Sequence, residues 1–61
     1  MMKIIKFYRL NTNKIESLSA MEEDQIDMDW LDNRQSLDYE IVNYDEATYL
    51  ALKAQMRADR I

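Results

Sequence analysis

The chain has no cysteine, no histidine, no glycine and no proline. Without cysteine there is no disulfide, and without Cys or His the usual zinc sites are excluded. The same absences remove the Ser-His and Cys-His pairs of nucleophilic catalysis and any glycine-rich phosphate loop, and Ser17, Ser19 and Ser36 have no base to activate them. An enzyme is not expected, nor is a cofactor. With no Gly or Pro to mark them, turns must come from Asn, Asp and Ser. No apolar run approaches the roughly 18 residues of a membrane span. The opening "MMKIIKFYRL" starts like a signal peptide, but Lys6 and Arg9 interrupt it and no small-residue cleavage site follows. The expectation is a cytoplasmic protein with no membrane partner.

At 61 residues, one domain spanning 1–61 is near the lower limit of independent folding. Such a domain buries only about 60% of the surface its unfolded chain exposes. Small folds usually add a disulfide, a metal or a partner subunit. With the first two excluded, tight packing or oligomerisation remains.

The net charge is −4, unevenly laid out. Lys3, Lys6, Arg9 and Lys14 make residues 1–15 basic. Residues 16–46 hold eleven acids against Arg34 alone. Lys53, Arg57 and Arg60 outweigh Asp59 beyond that. The densest part is "EEDQIDMDWLD" (22–32), with six acids in eleven residues. A field of this sign repels nucleic acid and draws basic partners, most strongly at low salt. Direct nucleic-acid binding is therefore not expected, and Phe7 and Tyr8 among the N-terminal cations read as strand and core.

"KIIKFYRL" (3–10) is rich in β-branched and aromatic residues and reads as a strand. "NTN" (11–13) is a turn and "KIESLSA" (14–20) a returning strand. Closure at Thr12–Asn13 sets Arg9 opposite Glu16, Phe7 opposite Leu18 and Ile5 opposite Ala20. "QIDMDWL" (25–31) alternates strictly, which favours a third strand, although Ser19 with Glu22 resembles a capping box and leaves room for a short helix near 19–25. "DNRQS" (32–36) is the next turn and "LDYEIVNY" (37–44) the fourth strand. Folding about Asn33–Arg34 pairs Trp30 with Leu37, Met28 with Tyr39 and Ile26 with Ile41. From Asn43 onward the chain reads as a helix, with Asn43 and Glu46 as a capping box and Arg57 and Arg60 at its C-terminal end. The expected fold is α+β: a four-stranded antiparallel meander with one C-terminal helix across its apolar face, the other face left to solvent or a partner. The alternative is β-α-β-β-α, with residues 14–24 helical.

That hairpin sets Asp27 opposite Glu40 and Asp29 opposite Asp38, a ladder of like charges costing roughly 0.2–1 kcal/mol per pair. Glu22, Glu23 and Asp24 extend it at one end and Asp32 at the other. Lys6 points to the same face and can quench part of the repulsion if the first strand lies beside it. A solvated, solubilising face explains any one of these acids; the cluster as a unit points to a basic partner. Acids two apart on a strand lie about 6.6 Å apart, a spacing suited to a groove built for phosphates. In size and charge, over no motif, the chain resembles the small acidic inhibitors encoded by phages and other mobile elements. That resemblance implies an anti-defence role in the host cytoplasm, against a nuclease, helicase or other nucleic-acid-handling enzyme. "DMDWLDNRQSLD" (27–38) fails as a calcium loop at Leu31 and at Asp32, where glycine is needed.

Along the helix, Ala47, Leu50, Ala51, Ala54, Ala58 and Ile61 form one stripe, with Tyr49, Leu52 and Met56 on roughly the opposite side. If the alanines pack on the sheet, Tyr49, Leu52 and Met56 form an outward surface for a second copy or a larger assembly. If the larger residues are buried, the alanines are exposed at little cost. One sheet face cannot cover both strips, so a homodimer is expected. The alternative function is a non-catalytic structural or regulatory subunit docking through this helix.

Overall fold

The computed structural model of the chain describes residues 1–33 and 37–60. Strands β1 (Met2–Arg9), β2 (Ile15–Glu22) and β3 (Leu37–Asn43) form one antiparallel sheet in the order β2-β1-β3. A 3-10 turn (Glu23–Gln25) and a five-residue helix, α1 (Met28–Asp32), connect β2 to β3, and α2 (Glu46–Asp59) follows. The protein is α+β with a C-terminal helix, as expected, but the sheet has three strands rather than four. Of the expected elements, the turn about Asn33–Arg34 and the position of Ile61 reach outside the described residues.

The central strand explains the layering. Its run of apolar and aromatic residues suits a strand buried on both faces. Ile5 and Phe7 point to one face, where they form a cluster with Leu31 of α1 and pack against Met21, Ile26, Leu37, Tyr39 and Ile41. Ile4, Lys6 and Tyr8 point to the other face. Ile4 is fully buried there and Ile15, opposite Tyr8, is 2% exposed. This is the face of α2, whose Gln55 shares a groove with Tyr8 and Glu40. Both faces thus carry a helix, which corrects the expectation of one covered face and one open one.

The first hairpin forms, in a shifted register. Asn11 adopts φ 63°, the left-handed conformation that Asn tolerates better than most residues. The turn closes with Arg9 N–H donating to Lys14 O at 3.0 Å and Thr12 N–H to Arg9 O at 3.0 Å. A bulge then lets Phe7 pair with Ser17 while Tyr8 pairs with Ile15, leaving Glu16 as the extra residue. Lys6, not Phe7, lies opposite Leu18, and Ile4, not Ile5, lies opposite Ala20. The Arg9–Glu16 ion pair survives at 3.1 Å because the bulge leaves both side chains at the same end of the ladder.

The third strand does not form, and neither does the helix over 14–24, most of which is β2. Asp27 caps α1 instead, its carboxylate accepting from Trp30 N–H at 3.1 Å. Helical geometry turns Leu31 into the core and leaves Met28 and Trp30 about half exposed. The strand would have faced Asp27 with Glu40 and Asp29 with Asp38; the helix removes both like-charge contacts. Alternation over so short a segment was a weaker signal than the local Asp cap. The pairs Trp30–Leu37, Met28–Tyr39 and Ile26–Ile41 are accordingly absent.

With that strand gone, β3 pairs with β1, setting Lys6 opposite Glu40, Phe7 opposite Tyr39, Ile5 opposite Ile41 and Ile4 opposite Val42. One pair is of opposite charge, one aromatic and two aliphatic, all favourable cross-strand combinations. In α2 the cap is Asp45 rather than Asn43, accepting from Thr48 N–H at 3.0 Å. At the other end Asp59 takes Ile15 N–H at 2.9 Å and Arg60 reaches Glu16 O at 3.5 Å, which clasps the helix to the β2 edge.

These placements separate Leu31 from Met28 energetically. Leu31→Ala should cost about 2–5 kcal/mol of unfolding free energy. Met28→Ala, at 46% exposure, should cost under about 1 kcal/mol. Urea titrations of both variants check this, and a 25–31 strand would give the reverse order.

A candidate protein-interaction surface

The acids singled out by sequence do not gather on one rib. Glu22 ends β2, where its carboxylate lies 2.8 Å from the amino group of Met1 and raises that group's pKa above its usual 8.0. Glu23 and Asp24 sit on the 3-10 turn, Asp27 caps α1, and Asp29 and Asp32 lie within α1. These last three ride on the layer over Ile5 and Phe7. Asp38 and Glu40 alternate with Tyr39 on β3 and point to the opposite face, beside Tyr8 and Lys6. The sheet divides the set, and the expected ladder is corrected to two separate groups.

Much of this charge is used inside the fold. Asp32 accepts a hydrogen bond from the Tyr39 hydroxyl. That bond, with burial and the carboxylate's charge, holds the phenol above its ordinary pKa of 10.0. Asp38 takes Asn11 N–H at 3.4 Å. Glu40 pairs with Lys6, whose side chain is only 15% exposed. Sequence reasoning placed Lys6 on the correct face but left its partner open. The signal was present: a lysine inside an apolar strand needs an acid beside it, and Glu40 is the one acid in the middle of "LDYEIVN".

The carboxylates of Glu23, Asp24 and Asp29 make no ion pair or hydrogen bond among the described residues. They share their short segment with two large apolar side chains in water, Trp30 at 53% and Met28 at 46% exposure. The Trp30 ring is not loose: it stands edge-on to Phe7, with centroids 6.3 Å apart and planes at 87°. An indole held by the core and exposed on one side, on the same short segment as these acids, has the makings of an anchor for a basic protein surface. Trp is enriched among residues that dominate binding energy.

Two other surfaces differ in chemistry. A groove of about 410 Å³ between α2 and the sheet is lined by Tyr8, Thr12, Asn13, Asp38, Glu40 and Gln55. Among the described residues no three Asp or Glu side chains converge to hold a metal ion, and no helix is long and apolar enough to cross a membrane. On α2, Tyr49, Leu52 and Met56 are half-buried. Tyr49 packs on Tyr44 with centroids 5.7 Å apart and lies under Lys53 at 5.4 Å. The exposed strip is the other one, Ala47, Leu50, Ala51, Ala54 and Ala58, with Leu50 at 58%. The helix therefore turns its larger residues inward and its alanines outward.

The Lys6 site sets an alkaline limit. The hydrogen bond that Lys6 donates to Glu40, then one with Tyr8, raises the Lys6 pKa above 10.5, with burial opposing. Because the folded state holds this proton more tightly than the unfolded chain, the contribution is complete below the unfolded value. It is lost as pH rises through the folded one. Tyr39, also raised, acts with the same sign. Unfolding free energy should fall between about pH 10 and 12 in the wild type and less steeply in Lys6→Met. Denaturant titration across that range checks it.

No protein-family model matches the sequence, and no curated protein or solved structure matches the chain. What the protein does must be read from its own surfaces.

Proposed function

We propose that this is a non-catalytic interaction module that binds a basic site on a larger protein through the segment from Glu23 to Asp32. The observation that carries the reading is the half-exposed Trp30, braced on Phe7, on a segment whose Glu23, Asp24 and Asp29 carboxylates make no hydrogen bond or ion pair among the described residues. Acids spent on caps and ion pairs stabilise the chain; Glu23, Asp24 and Asp29 make no such contact among the described residues, and only the Met1 amino group pulls on the first two, so their charge is open to a cationic partner. Steering by such a field speeds association and is weakened by salt. The concrete form is an inhibitor, of the phage or mobile-element kind, that occupies the nucleic-acid-binding site of a host defence enzyme, nuclease or helicase in the host cytoplasm. The acids then stand in for phosphates and the indole supplies the apolar anchor.

A second reading is favoured by the exposure of Leu50 along the outward strip of α2. It makes the protein a regulatory or structural subunit docked through that helix, with the α1 acids merely solubilising.

Affinity capture from a host lysate, using wild type beside a Glu23→Gln, Asp24→Asn, Asp29→Asn triple variant and a Trp30→Ala variant, separates the two. None of the three acids makes a hydrogen bond or ion pair among the described residues, so the triple variant should keep its stability within about 0.5 kcal/mol. It should associate with the captured protein several-fold more slowly at low salt and about equally at high salt. Nucleic acid should compete with the wild-type chain for that protein. Capture unaffected by these changes but abolished by Leu50→Glu would move the function to α2.

A further inference from the structure

The two edges of the sheet are treated differently. The β2 edge is closed at its start by Asp59 on Ile15 N–H and Arg60 on Glu16 O. Among the described residues the β3 edge has no such cover. Tyr44 N–H donates to Met2 O at 3.0 Å, which sets the phase of the β1–β3 ladder. The even residues Asp38, Glu40 and Val42 therefore exchange bonds with β1, and the backbone groups of Tyr39, Ile41 and Asn43 point outward. Among the described residues no hydrogen bond reaches those outward groups. Edge strands are usually protected by proline, lysine, a bulge or a covering loop. β3 has no proline, lysine or bulge, and its central charge, Glu40, is already neutralised by Lys6.

We propose that β3 pairs antiparallel with β3 of a second copy about a two-fold axis through Ile41, joining two sheets into one of six strands. Charge selects both the occupant and the register. An axis at Tyr39 would set Asp38 against Glu40, and one at Glu40 would set that residue against itself. An axis at Val42 leaves only Ile41 and Asn43 to exchange bonds. With the axis at Ile41, Glu40 meets Val42, Asp38 meets Tyr44, Tyr39 meets Asn43 and Ile41 meets itself, so no acid faces an acid.

The same operation brings opposite charges together. Lys3 is hydrogen-bonded to Asn43, and Asp32 to the Tyr39 hydroxyl. Setting Asn43 of one copy opposite Tyr39 of the other places Lys3 beside Asp32 twice over. A groove of about 360 Å³ lined by Lys3, Glu23, Ile26, Met28 and Ile41 opens beside the axis. Two such grooves then meet over the paired Ile41 side chains and cover apolar surface that a single copy leaves wet. A core of only five buried apolar residues among those described gains from that cover.

The lack of cysteine makes the test clean. Opposed residues that exchange hydrogen bonds in an antiparallel pair lie about 5.5 Å apart between Cα atoms, within disulfide range. Under mild oxidation Ile41→Cys should link to itself and run at twice the chain mass. Tyr39→Cys and Asn43→Cys should each stay unlinked alone and link when mixed, which keeps the test independent of any packing loss at Ile41. Wild-type light scattering at about 100 μM should report twice the chain mass, falling on dilution. A wild-type monomer at that concentration overturns the proposal, including one whose edge instead takes a Lys-alternating peptide strand from another protein. Linking of Glu40→Cys to itself in place of Ile41→Cys overturns the register. Capture of a partner through Trp30 is read separately and neither outcome here depends on it.

Discussion

Every element of the fold is placed by β1, the one strand whose two edges and two faces are all occupied. Its edges take β2 and β3; one face takes α1 over Ile5 and Phe7, and on the other Tyr8 shares a groove with Gln55 of α2. A strand in that position has to be apolar in both directions, and "IIKFY" (4–8) is, except at Lys6. That exception determines where β3 goes. An ammonium at 15% exposure is tolerable only with an acid against it, and Glu40 supplies it from the middle of a strand-forming segment whose Tyr39, Ile41 and Val42 also match the neighbours of Lys6 on β1. The alternative pairing, β3 with residues 25–31, would have left Lys6 without that acid and set four carboxylates face to face.

Strong, repeated local signals were legible in the sequence. The β-branched and aromatic start of the chain, the Asn-rich turn and the long run of good helix formers each appear where they were read. What was not legible depended on competition between distant segments. The alternation of Ile26, Met28 and Trp30 fits a strand, but an aspartate that can cap a helix costs the chain nothing to use, while the strand it would replace carried a penalty visible only once its partner was known. The hairpin register was missed for a related reason. Arg9 and Glu16 form their ion pair across a bulge, so the correct charge pair accompanied a ladder one step out of place. On α2, spacing identified both apolar strips but could not say which faced inward; bulk decided it, since Tyr49, Leu52 and Met56 fill space over a sheet that alanines would leave empty.

The acids show how far charge counting can mislead in a short chain. Read as a total, they look like surplus negative surface. Placed in the fold, Asp27 and Asp45 satisfy helix N-termini, Asp59 satisfies a strand edge, Glu16 and Glu40 pair with cations, and Asp32 fixes a tyrosine hydroxyl. The surplus shrinks to a few residues on the segment that carries an exposed indole. Asp59 is unusual among them, since a carboxylate at a helix C-terminus opposes the dipole. Its bond to Ile15 N–H supplies the compensating contact.

The central place of β1 also shapes how the chain comes together in time. A ribosome delivers β1 and β2 first, and their hairpin can close at once because the paired residues are near in sequence. The other side of β1 must wait for residues 37–43, so throughout that interval the nascent hairpin carries an open backbone edge and two uncovered faces. Sheets completed by late, distant strands fold slowly and are the ones at risk of pairing with a neighbour. In a polysome crowded with copies of the same hairpin, the order of strands in space makes the last-made strand the guard of the first.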